Sequence, residues 1–126
     1  VKVEEHLLAC LSEECVEISK EAHKALRFGI DDTNPTIPNA PSQRQQIVAE
    51  LNDLLGVVEL LVKAGILPEN WSDQAKQLAK QEKVARFIAY ARQRGAIDTE
   101  KLGGAFESGV RDGMAEIMAA KEREPA

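Results

Sequence analysis

The residues with the greatest chemical capacity in this chain are carboxylates, and they come in two matched sets. Glu13-Glu14-Cys15-Val16-Glu17 and Glu50-Leu51-Asn52-Asp53 each place two acids three residues apart. On a helix, residues at i and i+3 project from one face. Glu14 with Glu17, and Glu50 with Asp53, are therefore two predicted acidic pairs. At about 100° per residue, the apolar positions of the first segment occupy roughly 20° to 120° measured from Glu14. Glu14 borders that arc and Glu17 lies about 60° further out. Measured from Glu50, the second apolar arc spans roughly −20° to 160°, with Glu50 inside its edge and Asp53 about 60° outside. Both pairs hold the same position relative to a core-facing stripe. Two helices packed through those stripes would bring four carboxylates to one rim, where anions partly removed from water repel one another. A divalent cation relieves that repulsion. Oxygen ligands without His or Cys suit Mg²⁺ or Mn²⁺, and Mg²⁺ held by a few carboxylates keeps positions open for substrate phosphates.

Four helices are expected to position these groups, with no strand. The first runs from Val3 to about Phe28 on Leu7, Leu8, Leu11, Cys15, Ile18, Ala22 and Leu26, with Gly29 as its stop. Gly29 to Pro41 contains Pro35, Pro38 and Pro41 and reads as a long loop, a length usually found where a loop has a function or is disordered. The second helix starts at Ser42, which forms a capping box with Gln45, and carries Ile47, Leu51, Leu54, Leu55, Val58, Leu61 and Val62 up to Lys63. Gly65 and Pro68 end it. The third is expected from the N-cap Ser72 to about Arg94, with Val84, Phe87, Ile88 and Ala91 as its stripe. The fourth is expected from Thr99 to about Arg123, on Leu102, Phe106, Val110, Met114 and Ile117. It also holds Gly103, Gly104, Gly109 and Gly113, each costing roughly 1 kcal/mol against Ala in a helix. Such a segment needs a packing partner, so its Phe106 to Ile117 stripe is expected to be buried in an oligomer. The fold class is all-α, a helical bundle of three to four helices completed by oligomerisation, with residues 1–98 as the catalytic helical domain and 99–126 as a C-terminal helical extension.

Composition removes several functions. The chain has 126 residues, enough for one modest core, and is 44% hydrophobic with only 4% aromatic residues, which favours helix packing over ring-filled cores. A net charge of −5 and a pI near 5.1 make it a poor phosphate-backbone binder, so no nucleic-acid partner is expected. No apolar run is long enough for a membrane span. Cys10 and Cys15 form no CxxC pair and read as reduced thiols, and no signal peptide is visible, so the expected location is cytoplasmic. Gly104 to Gly109 lacks the Lys and Ser/Thr of a P-loop, and Asp31-Asp32 does not continue into an EF-hand. His6 and His23 have no metal-site spacing.

Glu13-Glu14-x-x-Glu17 followed by Glu50-x-x-Asp53 resembles the signature of the MazG-like all-α nucleotide pyrophosphohydrolases. The flanking Lys24-Ala25-Leu26-Arg27-Phe28-Gly29 and Leu54-Leu55 add to the likeness, which covers roughly residues 5 to 95. The resemblance implies a helical bundle assembled as a homodimer or homotetramer. The implied activity is Mg²⁺-dependent cleavage of a nucleoside triphosphate, between its α and β phosphates, in nucleotide-pool house-cleaning. It also implies that Glu14, Glu17, Glu50 and Asp53 are the metal ligands, with Glu13 further out. Glu14 and Glu21 are the candidate proton acceptors near the metal. Triphosphate needs positive charge. Lys24 and Arg27 close the first helix, while Lys76, Lys80, Lys83 and Arg86 form one basic face of the third. Lys24, Arg27, Lys83 and Arg86 are the phosphate candidates, and Trp71, Phe87 and Tyr90 the candidates for stacking on a base. The alternatives are a phosphoribosyl-ATP pyrophosphatase-like enzyme and a helical interaction module without catalysis.

Overall fold

The computed structural model describes residues 1–123, and these form α1 (Val3–Phe28), α2 (Gln43–Lys63), α3 (Gln74–Gln93) and α4 (Gly104–Glu122), with no strand among them. The all-α expectation holds. None of the described helices is long and apolar enough to cross a membrane. Local chemistry accounts for most of the ends. Ser42 accepts from the Gln45 backbone at 3.2 Å while the Gln45 side chain accepts from the Ser42 backbone at 2.8 Å, the reciprocal cap expected at the head of α2. Gly29 and Gly65 follow α1 and α2 at positive φ, +102° and +75°, where a side chain would be strained. Two boundaries differ from the sequence reading. The N-cap of α3 is Asp73, whose carboxylate accepts from the Lys76 backbone at 3.1 Å. Ser72 instead accepts from the Gln77 side chain. α4 begins at Gly104, not near Thr99, because the segment before it is tied to α3.

The chain divides into two compact units between Trp71 and Ser72. α1 pairs with α2, and α3 pairs with α4. In the first unit the seam of α1 is formed by Leu7, Leu11, Ile18 and Ala25, and Leu61 of α2 is fully buried. Leu8 and Leu26, counted in the expected stripe, are 44% and 82% exposed. The buried face of α1 is therefore rotated toward its acidic residues, and Glu21 lies within it.

In the second unit Ala85, Ala89 and Val110 form the core, with Ile88, Met114 and Ile117 against it. The expected stripe of α3 is turned: Val84 and Phe87 stay exposed while the alanines are buried. Small residues win this face because they let the two backbones approach. A Cβ on Gly113 would stand 3.0 Å from both the Cα and the backbone nitrogen of Arg86. Val110, Met114 and Ile117 of the Phe106 to Ile117 stripe pack against α3 of the same chain, while Phe106 stays 37% exposed. Gly113→Ala is expected to lower stability, since the roughly 1–3 kcal/mol cost of overpacking against unyielding backbone exceeds the helix-propensity gain of about 1 kcal/mol. Gly109→Ala meets only the Ala85 Cβ at 3.8 Å, an ordinary contact, and should gain up to about 1 kcal/mol. Urea denaturation of both variants checks this, and equal effects at the two glycines would contradict it.

Arg92 ties the α3–α4 connection. Its guanidinium donates to both carboxylate oxygens of Glu107, at 2.7 and 3.2 Å, and to the Glu100 carbonyl at 2.7 Å. The Leu102 backbone also donates to Glu107. With two sets of donors on it, the Glu107 carboxyl is lowered to about 2.

Candidate metal centre

The seam between α1 and α2 brings five carboxylates together. Oxygens of Glu14, Glu50 and Asp53 lie within 4.8 Å of one another, and so do oxygens of Glu17, Glu21 and Glu50. Glu50 is shared, so the two trios form one cluster. Helical spacing builds it: Glu14, Glu17 and Glu21 recur at three and four residues along α1, and Glu50 and Asp53 at three residues along α2. Across an octahedron with 2.0–2.1 Å bonds, opposite oxygens are about 4.2 Å apart, so the trios are close to a divalent cation's dimensions.

Burial grades the members. Glu21 is 4% exposed, Glu14, Glu17 and Glu50 are half-buried, and Asp53 is exposed. Glu14 Oε2 is shut off from water and has no hydrogen-bond partner, an expensive state for a carboxylate oxygen unless something positive meets it. Partial desolvation pushes the Glu50 carboxyl above its ordinary value, and the charges of Asp53, Glu17, Glu14 and Glu21 push the same way. The donor set is all carboxylate oxygen, hard and anionic, and fits a hard divalent cation.

The raised Glu50 carboxyl carries a pH signature. Its charged form is disfavoured in the fold, so the native state takes up the proton first as pH falls, and stability rises. The penalty is complete above the raised value and vanishes below the unfolded value near 4.3. Glu107 acts in the opposite sense, but only at lower pH, because its folded value is depressed. Without divalent ions, melting temperature should rise as pH is lowered through the raised Glu50 value, above the range where unfolded carboxylates titrate. A melting temperature falling across that window would contradict the assignment to Glu50.

The other candidates have these surroundings. Glu13 is exposed. Lys24 sits beside the cluster, with its ammonium 3.4 Å from Glu21. Arg27 lies over the Phe28 ring at 4.8 Å. Trp71, at the end of the first unit, is 43% exposed. Lys83, Arg86, Phe87 and Tyr90 belong to the α3–α4 unit. There Lys83 lies over Phe87, Arg86 pairs with Glu116 at 3.1 Å, and the Tyr90 hydroxyl accepts from Arg94. The centre described here is built by α1 and α2 alone. His23 is exposed and bonds only the Ser19 carbonyl of its own helix.

One member of the site was not visible in the sequence. Gln43, 5% exposed at the head of α2, donates from its side-chain amide to the Glu21 carbonyl at 3.1 Å and to the Glu21 carboxylate. No spacing rule links residues 21 and 43. The available signal was positional: Gln43 directly follows the capping Ser42, at the end of the loop that returns the chain to α1. Compared with known protein families, with curated proteins and with solved structures, the chain matches none.

Proposed function

We propose that this protein is a Mg²⁺-dependent nucleoside triphosphate pyrophosphohydrolase, converting a (d)NTP and water to a (d)NMP and pyrophosphate in nucleotide-pool house-cleaning. The observation that carries the reading is the cluster centred on Glu50, in which two carboxylate trios share one residue and Glu14 keeps a buried oxygen without a partner. Its composition agrees with the resemblance of Glu13-Glu14-x-x-Glu17 and Glu50-x-x-Asp53 to the MazG-like enzymes.

In this reading Glu14, Glu17, Glu50 and Asp53 hold the cation, and Glu21 completes the second trio. The bound ion supplies charge neutralisation on the phosphate oxygens and a lowered pKa for water. Glu21 is already engaged by Gln43 and Lys24, so it serves as a fixed anion. Glu14, with an acceptor position to spare, is the better group to take a proton. Lys24 and Arg27, one and two turns beyond the acidic residues on α1, offer positive charge to the outer phosphates.

The test is incubation with Mg²⁺ and a panel of common and damaged (d)NTPs, measuring pyrophosphate against orthophosphate. Pyrophosphate release supports the reading, whereas orthophosphate would place the cleavage at a different bond. Exposed Leu51 and Leu55, beside the second acidic pair, favour a second reading as a helical interaction module. That module would release neither product and would gain no stability from Mg²⁺.

A further inference from the structure

The head of α2 touches both the acidic cluster and the root of the long loop. Inward, the Gln43 side chain holds Glu21, whose carboxylate belongs to the trio with Glu17 and Glu50. Outward, the Gln43 backbone donates to the Asp32 carbonyl at 2.8 Å and the Arg44 backbone to the Ile30 carbonyl at 2.7 Å. The Arg44 side chain adds an ion pair with Asp31 at 3.1 Å. Gln43 is buried, its amide donates twice to one residue, and both of its chain directions are spoken for. The side chain that fixes Glu21 for a cation therefore belongs to the residue that anchors the loop.

We infer that Gln43 is a positioning residue that couples cation binding at Glu21 to the order of the Gly29–Pro41 loop, whose root it holds. The inference rests on the cation-binding reading above. A buried amide that orients a ligand carboxylate typically contributes 10–100-fold to metal affinity. Coupling is reciprocal: if the cation tightens the loop, loosening the loop must weaken the cation by the same factor.

Calorimetric titration of the intact chain with MgCl₂, beside hydrogen exchange of the amide groups of residues 30–40, tests this. Mg²⁺ should slow exchange in the loop of the unaltered protein. Gln43→Ala should lower Mg²⁺ affinity by about 10–100-fold and abolish the slowing, with helix content by circular dichroism unchanged. Asp31→Ala, an exposed change that touches no carboxylate of the cluster, should speed loop exchange and weaken Mg²⁺ by a smaller, matching factor. Mg²⁺ binding with no change in loop exchange would overturn the coupling and leave the cation reading intact. So would an Asp31→Ala variant whose loop loosens at unaltered affinity. No Mg²⁺ binding by the unaltered protein would overturn both. If Gln43→Ala loses its helix content, Asp31→Ala decides alone.

Discussion

Glu50→Gln is expected to abolish pyrophosphate release and, at the same time, to stabilise the cation-free chain. The two effects share one cause. Glu50 is the carboxylate common to both trios, and the charges of Asp53, Glu17, Glu14 and Glu21 add to its partial desolvation in raising its proton affinity. Removing its charge removes the central repulsion, while the amide keeps the side chain's shape. For the same reason, the variant loses the anion through which either trio would hold a cation. The loss in Mg²⁺ affinity should exceed the roughly 10–100-fold typical of a partner that only orients a ligand. Thermal melts with and without Mg²⁺ read the two halves separately. The unaltered protein should gain melting temperature from Mg²⁺, and Glu50→Gln should start higher and gain nothing. A variant that retains activity would remove Glu50 from the site. A cation-free variant less stable than the parent would mean that the carboxylates are held apart by contacts stronger than their repulsion.

The largest loss of stability is expected from Leu61→Ala. Leu61 is fully buried in the α1–α2 unit, whereas its chain neighbour Leu60 is 50% exposed. Truncating a buried leucine removes its transfer free energy and leaves a cavity, about 2–5 kcal/mol together. The same change at Leu60 removes surface already half in water and should fall within about 0.5 kcal/mol. Urea denaturation followed at α1–α2 amide groups by hydrogen exchange compares the pair, and similar costs would show that the unit is not packed around Leu61. Leu61 lies three turns from Glu50 on the same helix. Its loss therefore tests whether the acidic cluster depends on the seam beyond it.

Much of the candidate site was legible because helical periodicity is a local property. The i, i+3 spacing of Glu14 with Glu17, and of Glu50 with Asp53, places each pair on one face before any packing occurs. Their position beside the apolar arcs then implied that two packed helices would bring them together. The caps were legible for the same reason: Ser42 with Gln45, and Gly29 and Gly65, act within a few residues of themselves. Glu21 was visible as a candidate proton acceptor but not as the most buried of the five, since it is covered by Gln43, 22 residues away.

The sequence by itself determined four helices, their main stops, and two acidic faces flanking apolar stripes. Each follows from interactions that reach no further than one helical turn. Tertiary structure decided which side of each stripe is buried and which helices pair. α3 joins α4 because Gly109 meets Ala85 and Gly113 meets the backbone of Ala85 and Arg86, where missing side chains let backbones approach and larger residues such as Phe87 are left outside. It also decided that a glutamine should sit between Glu21 and the loop. A buried amide, a shared carboxylate and a close helix crossing depend on residues distant in the chain, and only the fold places them within reach.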